Sequence, residues 1–564
     1  MLMFLLVVAS IASAAEIIYV DADASAGGGD GSTWDTAFKY LQDGLAAASY
    51  GDEIRVAQGS YKPDLDEAGS VTPGNREETF QLINGVALKG GYAGAGEPEP
   101  NERDIEVYET ILSGDLAGND EPDFANYGDN SYHVVMAMDM DTTAELDGFT
   151  ITSGNANGGS DHYYRDYRGG GMHILYGSPT VTNCTFTANS ARCQGGGIYN
   201  DSSHGSVPRL TNCTFIGNSA GTHGGGFYNY PDGNLTITNC TFIGNSAKYT
   251  GGGIGKNGGS MTLNNCIFIG NSTVITGGGG LYSGYANLTI TNCIFIGNSA
   301  GNDGGGISLW ACYLTLVNCT FSGNSAENDG GGIYMHHGGL TLTNCTLTGN
   351  SADGKGGGIY GWLINLVLGN ITMTNSIMWD NLASDGPQFA IYDSDSYINY
   401  CNIQGGELDI YDPYEVLIWG DGNMGEDMVN DDPLFVDVDN DDYHLLSSAG
   451  RWDPDTSSWV IDGVTSPCID AGDPNSDWSA ELWPHGKQIN MGAYGGTAQA
   501  SMSTSSVGNI ADMDTDGSVD GIDLTILADK WLYQQVLLSE DLDRDGSVKF
   551  KDFAIFAGEW FWEE

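Results

Sequence analysis

Two stretches near the C-terminal end carry carboxylates at the spacing that calcium chemistry uses, Asp512 to Asp523 and Asp541 to Asp552. In each, aspartates stand at positions 1, 3, 5 and 12 of a loop, with glycine at position 6 (Gly517, Gly546) and serine at position 7 (Ser518, Ser547). Oxygen donors so placed suit a hard divalent cation, and the glycine permits the sharp turn between them. The expected calcium ligands are Asp512, Asp514, Asp516, Ser518 and Asp523 in the first loop. In the second they are Asp541, Asp543, Asp545, Ser547 and Asp552. A merely acidic tail does not readily produce two matching loops. Each is expected to run into an amphipathic helix, Leu524–Leu532 and Phe553–Phe561.

Acid–base chemistry leaves a fainter trace. Asp303, Asp329 and Lys355 each stand directly before a glycine triplet. On adjacent rungs of a stacked fold, the two carboxylates would lie about 5 Å apart. That is either a paired-acid site or a solvated charge row, and the second reading is the plainer. A tyrosine-rich insertion, DHYYRDYR, brings Asp161, Arg165, Asp166 and Arg168 together as a candidate catalytic or ligand loop. The histidines of this region (His162, His173, His204, His223, His336, His337) share no single repeat position, so they read as scattered surface residues. No nucleophile elbow, phosphate loop or zinc spacing is present.

Aromatic residues form a third pattern. One position past the apolar residue that follows each glycine triplet stand His173, Tyr199, Tyr228, Gly255, Tyr282, Ser308, Tyr334 and Tyr360. Two residues further come Tyr230, Trp310, His336 and Trp362. If the apolar residue points inward, its neighbours point out. The expectation is an outward aromatic stripe suited to stacking against sugar rings, with Tyr199, Tyr228, Tyr230, Tyr282, Trp310, Tyr334, His336, Tyr360 and Trp362 as glycan-binding candidates. Aromatics that merely stabilise a sheet are the competing reading.

The elements that must position these groups follow from a repeat. Units of the form TNCTFIGNSA, a variable turn and GGGIY return every 26 to 29 residues, as the series Cys184, Cys213, Cys240, Cys266, Cys293, Cys319 and Cys345 shows. Thr-Asn-Cys-Thr-Phe alternates in the period of a strand, and no stretch here carries helical periodicity. A unit this short cannot bury its own inner face, whereas stacked units share a continuous core. The predicted fold is all-β, a parallel β-helix solenoid, followed by a small α-helical calcium-binding domain. A cysteine returning once per repeat reads as a small packed hydrophobe rather than a disulfide partner. The second asparagine of each unit (Asn189, Asn218, Asn245, Asn271, Asn298, Asn324, Asn350) is expected at a tight corner, where its side chains could hydrogen-bond in a ladder.

Composition narrows the partners. With 74 Asp or Glu against 19 Lys or Arg, the 564-residue chain carries a net charge of -55. Such a surface repels polyanions, so nucleic acid is not an expected partner. Met1–Ala15 has a short apolar run and a small-residue cleavage pattern, which reads as a secretory signal and predicts a secreted, extracellular or cell-surface protein. No later stretch is long and apolar enough to predict a membrane span.

The GGGIY and NCTFxGNSA units resemble the right-handed parallel β-helix repeats of polymorphic outer-membrane-type and pectate-lyase-like secreted proteins. The segments Tyr19–Asp21, Gly31–Trp34, Gly90–Tyr92 and Leu112–Asp115 are similar to the opening part of such chains. Asp432–Phe435, Ser466–Gly472 and Met491–Tyr494 resemble the closing region of the choice-of-anchor group. The duplicated loop–helix form with aspartate at position 12 resembles a type I dockerin, which implies a cohesin-type scaffold partner. Two departures stand out: Lys549 at position 9, and Gly521-Ile522 and Phe550-Lys551 at the partner-reading positions. The implied organisation is a signal peptide (1–15), an N-terminal opening part of the β-helix (16–145), repeated coils (146–405), a closing region (406–500), a flexible linker (501–507) and the dockerin-like module (508–564). The function expected is binding of extracellular polysaccharide or surfaces, with calcium-dependent attachment to the partner. Polysaccharide lyase or glycoside hydrolase activity is the alternative, and a passive scaffold component the third class.

Overall fold

In the computed structural model, residues 15–24, 29–63, 74–159, 166–203, 205–231, 233–362, 369–393, 395–505 and 507–563 are described. The predicted signal residues before 15, and Asp161, Arg165, His162 and His204, lie outside them. The chain divides into two compact units, residues 1–240 and 241–564.

Both units are parallel β-solenoids, as the repeat requires. In the first, Ile17–Val20 pairs in parallel with Glu53–Ala57, which pairs with Ala87–Tyr92, then Glu145–Asp147, Thr180–Thr182 and Arg209–Thr211. A second row runs Val135–Met138, Met172–Leu175, Ile198–Asp201 and Phe227–Tyr230. The opposite wall stacks Gly59–Tyr61, Thr110–Ser113, Thr150–Thr152, Thr185–Thr187 and Thr214–Ile216. The residues 16–145 are thus themselves coils. The helix Leu41–Ala47 packs Leu41 and Leu45 onto the first strands. It approaches so closely that a Cβ at Gly44 would stand 2.7 Å from Val20 Cγ2.

The second unit repeats the plan with longer strands. Ile254–Asn257, Leu281–Gly284, Ile307–Val317, Ile333–Thr343, Ile359–Trp362 and Phe389–Tyr392 pair in order. The facing wall runs from Thr241–Ile243 to Asn402–Ile403. Identical residues meet at each level. The rings of Phe268, Phe295 and Phe321 stack with centroids 4.5 and 4.7 Å apart. All eleven cysteines are free thiols, ten of them buried, and the seven of the repeat series pack as their spacing predicted. Burial pushes Cys184, Cys401 and Cys468 up to about 12, so these thiols pack rather than react.

The asparagines divide the labour differently from expectation. The strained corner belongs to the first asparagine of each unit: Asn265, Asn292 and Asn318 all have φ of 52°. The second is fully buried and forms the ladder. Asn271, Asn298 and Asn324 each donate Nδ2 to the next side-chain oxygen at 2.8 to 2.9 Å. The residue before the inward Cys must reverse the chain with its side chain in solvent, which is where a left-handed asparagine is cheapest. The glycine corner has a different cause: a Cβ at Gly305 would lie 2.4 Å from Ser325 O.

Residues 430–500 do not extend the stack. They form two antiparallel hairpins, Phe435–Asp437 with Asp442–Leu445 and Arg451–Asp453 with Ser458–Val460, and fold back along the coils. Asn318 Nδ2 donates to Ala493 O and Gly495 O, and Asn344 Nδ2 to Gly495 O at 2.8 Å. Ala493 N also donates to Thr346 Oγ1 at 3.0 Å, and that cover explains why Thr346 is buried although its alternation points it outward. The segment expected as a flexible linker is packed at its start. Ser501, Met502 and Ser503 are buried, and Ser501 Oγ donates to Leu445 O at 2.6 Å. Two helices follow, Gly521–Asp529 and Phe550–Gly558, each starting three residues earlier than periodicity placed them because the loop aspartates cap them. Among the described residues no helix is long and apolar enough to cross a membrane.

Candidate functional site

The two acidic loops assemble as the spacing predicts, but unequally. In the first, carboxylate oxygens of Asp512, Asp514 and Asp516 lie within 4.8 Å of one another. Asp523 borders that group and is turned to backbone amides. Its Oδ1 accepts from Met513 N at 2.6 Å and its Oδ2 from Asp520 N at 2.8 Å, so it caps the helix. In the second loop the grouped set is Asp541, Asp543 and Asp552. Asp545 is drawn to Lys549 Nζ and accepts from Ser547 Oγ at 2.8 Å. Lys551 Nζ also meets Asp543 at 2.6 Å. Ser518 Oγ plays the same bracing part toward Asp516. The lysine at position 9 thus has a direct electrostatic consequence: it competes with a cation for this loop.

The donor set fits a hard cation. Asp512 is buried, and its Oδ1 meets no donor, as is true of Asp543 Oδ1. Burial, followed by the charges of Asp523, Asp514 and Asp516, raises the Asp512 carboxyl. Burial raises Asp541 likewise, with Asp552 and Asp543 adding to it. A carboxylate cluster that penalises its own ionisation is relieved by a bound divalent ion.

No local motif signals that the second loop touches the folded-back region 430–500. Arg544, at its fourth position, donates Nη2 to Trp483 O and lies over the Trp459 ring at 5.0 Å. Burial lowers its pKa to about 10. A cavity of about 310 Å³ opens there, lined by Glu481, Trp483, His485, Asp512, Asp541 and Arg544 among others. Glu481 is buried, and its Oε1 accepts from Asn490 N and Gly496 N at 2.9 and 2.8 Å.

The aromatic stripe splits into two rows. The row expected to face outward is mostly buried: Tyr199, Tyr228, Tyr334 and Tyr360 are 1 to 8% exposed, and Tyr282 is half-buried. Loops fold over it. Arg168 Nη1 donates to Tyr199 OH at 2.9 Å and lies over its ring, His223 stacks on Tyr228, and Tyr392 and Tyr411 pack with Tyr334 and Tyr360. Period-two alternation says which way a side chain leaves the strand, not what covers it.

The second row remains open. Trp310 and Trp362 are 40% and 37% exposed, and in the first unit Tyr230 is also exposed. The Trp310 and His336 rings lie parallel 3.9 Å apart, while Trp362 is turned 69° to His336. Trp310 Nε1 donates to Tyr285 OH at 3.2 Å. Tyr285 and His337 belong to this surface and were missed. Tyr285 and His337 stand at positive-φ corners, outside the strand pattern that located the rest.

Asp303, Asp329 and Lys355 do stack, as a hydrogen-bonded ladder. Asp303 Oδ1 accepts from Asn328 Nδ2 and Asp329 N, and Asp329 Oδ1 from Lys355 N at 2.8 Å. Burial raises both carboxyls. Lys355 Nζ lies 3.7 Å from Asp385. Each acid thus braces the rung beyond it. Of the tyrosine-rich insertion, Asp166 presents its carbonyl to Gly158 N, and Arg168 joins a row in which the rings of Tyr199, His173 and His133 follow at 5.2 and 5.1 Å.

Comparison with known proteins bears on the fold. The family described as "Disaggregatase related" matches residues 422–472, the folded-back hairpins. No curated protein matches the chain. Among solved structures, a rhamnogalacturonan lyase is similar over 68% of this chain and 87% of that chain, with 12% identity and a TM-score of 0.32. The family described as "Right handed beta helix region" matches residues 129–301 and 209–375, and the stacked coils are therefore those of a right-handed β-helix.

Proposed function

We propose that this protein is a secreted β-helix that binds extracellular polysaccharide along the Tyr285–Trp310–His336–Trp362 row and carries a calcium-loaded C-terminal module for attachment to a cohesin-type partner. The observation that carries the reading is the open row itself: large aromatics on successive coils, left in solvent. Exposed aromatics grouped in this way mark recognition surfaces. His336 covers one face of Trp310. Trp362, turned across the row, and Tyr285 supply the further ring surface for a sugar. The net charge favours neutral glycans, or uronates bridged by calcium.

The attachment reading rests on the paired loops and on Ile522 and Phe550, 55% and 79% exposed at the starts of the two helices. Calcium would be held by Asp512, Asp514 and Asp516 in one loop and by Asp541, Asp543 and Asp552 in the other. Polysaccharide cleavage is the less favoured reading, because Asp303 and Asp329 each commit Oδ1 to the next rung.

Affinity electrophoresis against a panel of neutral and acidic polysaccharides, with calcium present, tests the binding reading. Trp310→Ala with Trp362→Ala should weaken retardation about tenfold or more, equivalent to ~1.4 kcal/mol or above, while leaving the melting temperature nearly unchanged. Full retention of binding by a folded double variant would return the protein to the scaffold class.

A further inference from the structure

A cavity of about 310 Å³ separates residues 479–498 of the folded-back region from the loops of the C-terminal module. It stands at the small end of the range for ligand pockets, about 300–1,000 Å³. Leu482, Ile510, Leu537 and Leu538 give it an apolar lining. The polar lining around Trp483, His485 and Arg544 is short of acceptors. Trp483 Nε1 is buried and has none. Arg544 gives Nη2 to the Trp483 carbonyl and lies over the Trp459 ring. Among the described residues Arg544 forms no ion pair; the charge that acts on it is Asp541, which belongs to the acid group of the second calcium loop.

An independent observation comes from His485. It is 7% exposed, and its Nδ1 has no partner beyond its own backbone. The two rings converge: the point where a Cβ at Gly508 would stand is 3.7 Å from Trp483 Cδ1 and 3.8 Å from His485 Cε1. Those carbons are bonded to Trp483 Nε1 and His485 Nδ1, so both polar edges border one place. A buried donor without an acceptor is costly to hold, and so is a guanidinium without a carboxylate. What this lining lacks is oxygen acceptors that carry negative charge. A carboxylate supplies them in the geometry that the planar fork of an arginine matches.

We propose that this cavity binds a small carboxylate of about the size of one sugar ring, with Arg544 and Trp483 Nε1 receiving its oxygens and Leu482, Ile510 and Leu538 its C–H face. Glu481 lines the cavity without repelling such a ligand, because burial holds its carboxyl up at about 8 and its Oε1 accepts from Asn490 N and Gly496 N. Lys530 adds a second cation to the lining, against Asp512, Glu540 and Asp541. Calcium in the two loops would offset Asp512 and Asp541 and so favour the anion. That dependence rests on the calcium reading of the loops; the pocket itself does not.

The test is isothermal titration of the full chain with D-glucuronate, calcium present, which should show one saturable site. D-glucose, which has the ring without the carboxylate, should bind about tenfold more weakly or worse. Arg544→Gln should cost about tenfold or more in glucuronate affinity. Because that change also loosens the module, Trp483→Phe is the second variant. It keeps the carbonyl that receives Arg544, removes the N–H, and should cost about fivefold. The Trp310→Ala/Trp362→Ala protein should bind glucuronate as wild type does, which separates this cavity from the open aromatic row. No saturable binding, equal affinity for glucose, affinity that ignores both Arg544→Gln and Trp483→Phe, or binding lost with the aromatic row would overturn the proposal. Failure of the calcium reading shows separately, as a chain that holds no calcium in equilibrium dialysis; glucuronate binding that falls in Trp483→Phe would then still support the pocket.

Discussion

Glu481 makes the stability of the second unit depend on pH with a sign that can be worked out in advance. Its side chain is buried, and burial is the main cause that raises its pKa from 4.5 to about 8. The folded protein then keeps a proton that the unfolded chain releases. Stability from this group is fully present below the unfolded value, falls as the pH rises from 4.5 toward 8, and is flat above. Each pH unit in that window costs ~1.4 kcal/mol, so at pH 7 the loss is about 3 kcal/mol. Glu481→Gln keeps the oxygen that accepts from Asn490 N and Gly496 N and removes the titration. In chelator, thermal melts from pH 4 to 9 should coincide for the two proteins at pH 4. By pH 7 the variant should melt several degrees higher. A variant destabilised by the same amount at every pH would show that Glu481 serves only as a hydrogen-bond acceptor, and the reasoning would fail.

Asn298→Ala removes the acceptor for Asn271 N and Nδ2 and the donor to Phe268 O and Asn324 Oδ1. A loss on the order of 4 kcal/mol is expected in denaturant unfolding, and one below ~1 kcal/mol would show that the coils reseal around the gap. Arg544→Ala frees the module from Trp483 and Trp459, so limited proteolysis between residues 503 and 511 should quicken severalfold; an unchanged rate would mean that the packed Ser501–Ser503 segment holds the module alone. Asp512→Ala with Asp514→Ala should delete one calcium-binding event from the calorimetric isotherm, and an identical isotherm would refute the ligand assignment. Because Lys549 and Lys551 already offset part of the second loop's negative charge, converting both to Gln should tighten its calcium affinity, read as a higher chelator concentration needed for metal loss.

What the sequence determined by itself is whatever repeats. Cys, Phe, Asn and Gly returning every 26 to 29 residues dictate the coil, its inward face, the free thiols and the buried ladder, because each rung repeats the environment of the last. The acidic loops were legible for a related reason: their oxygens are neighbours in the chain, and Gly517 and Gly546 supply the turn. Contacts between residues far apart in sequence had no such signature. That Tyr411 packs against the cluster of Tyr334 and Tyr360, that Arg544 reaches Trp483 and that residues 430–500 cover Thr346 were all decided by where loops return onto the coils. Strand alternation assigns a side chain to one side of a sheet. Whether that side meets water depends on a tertiary cover that no local period records.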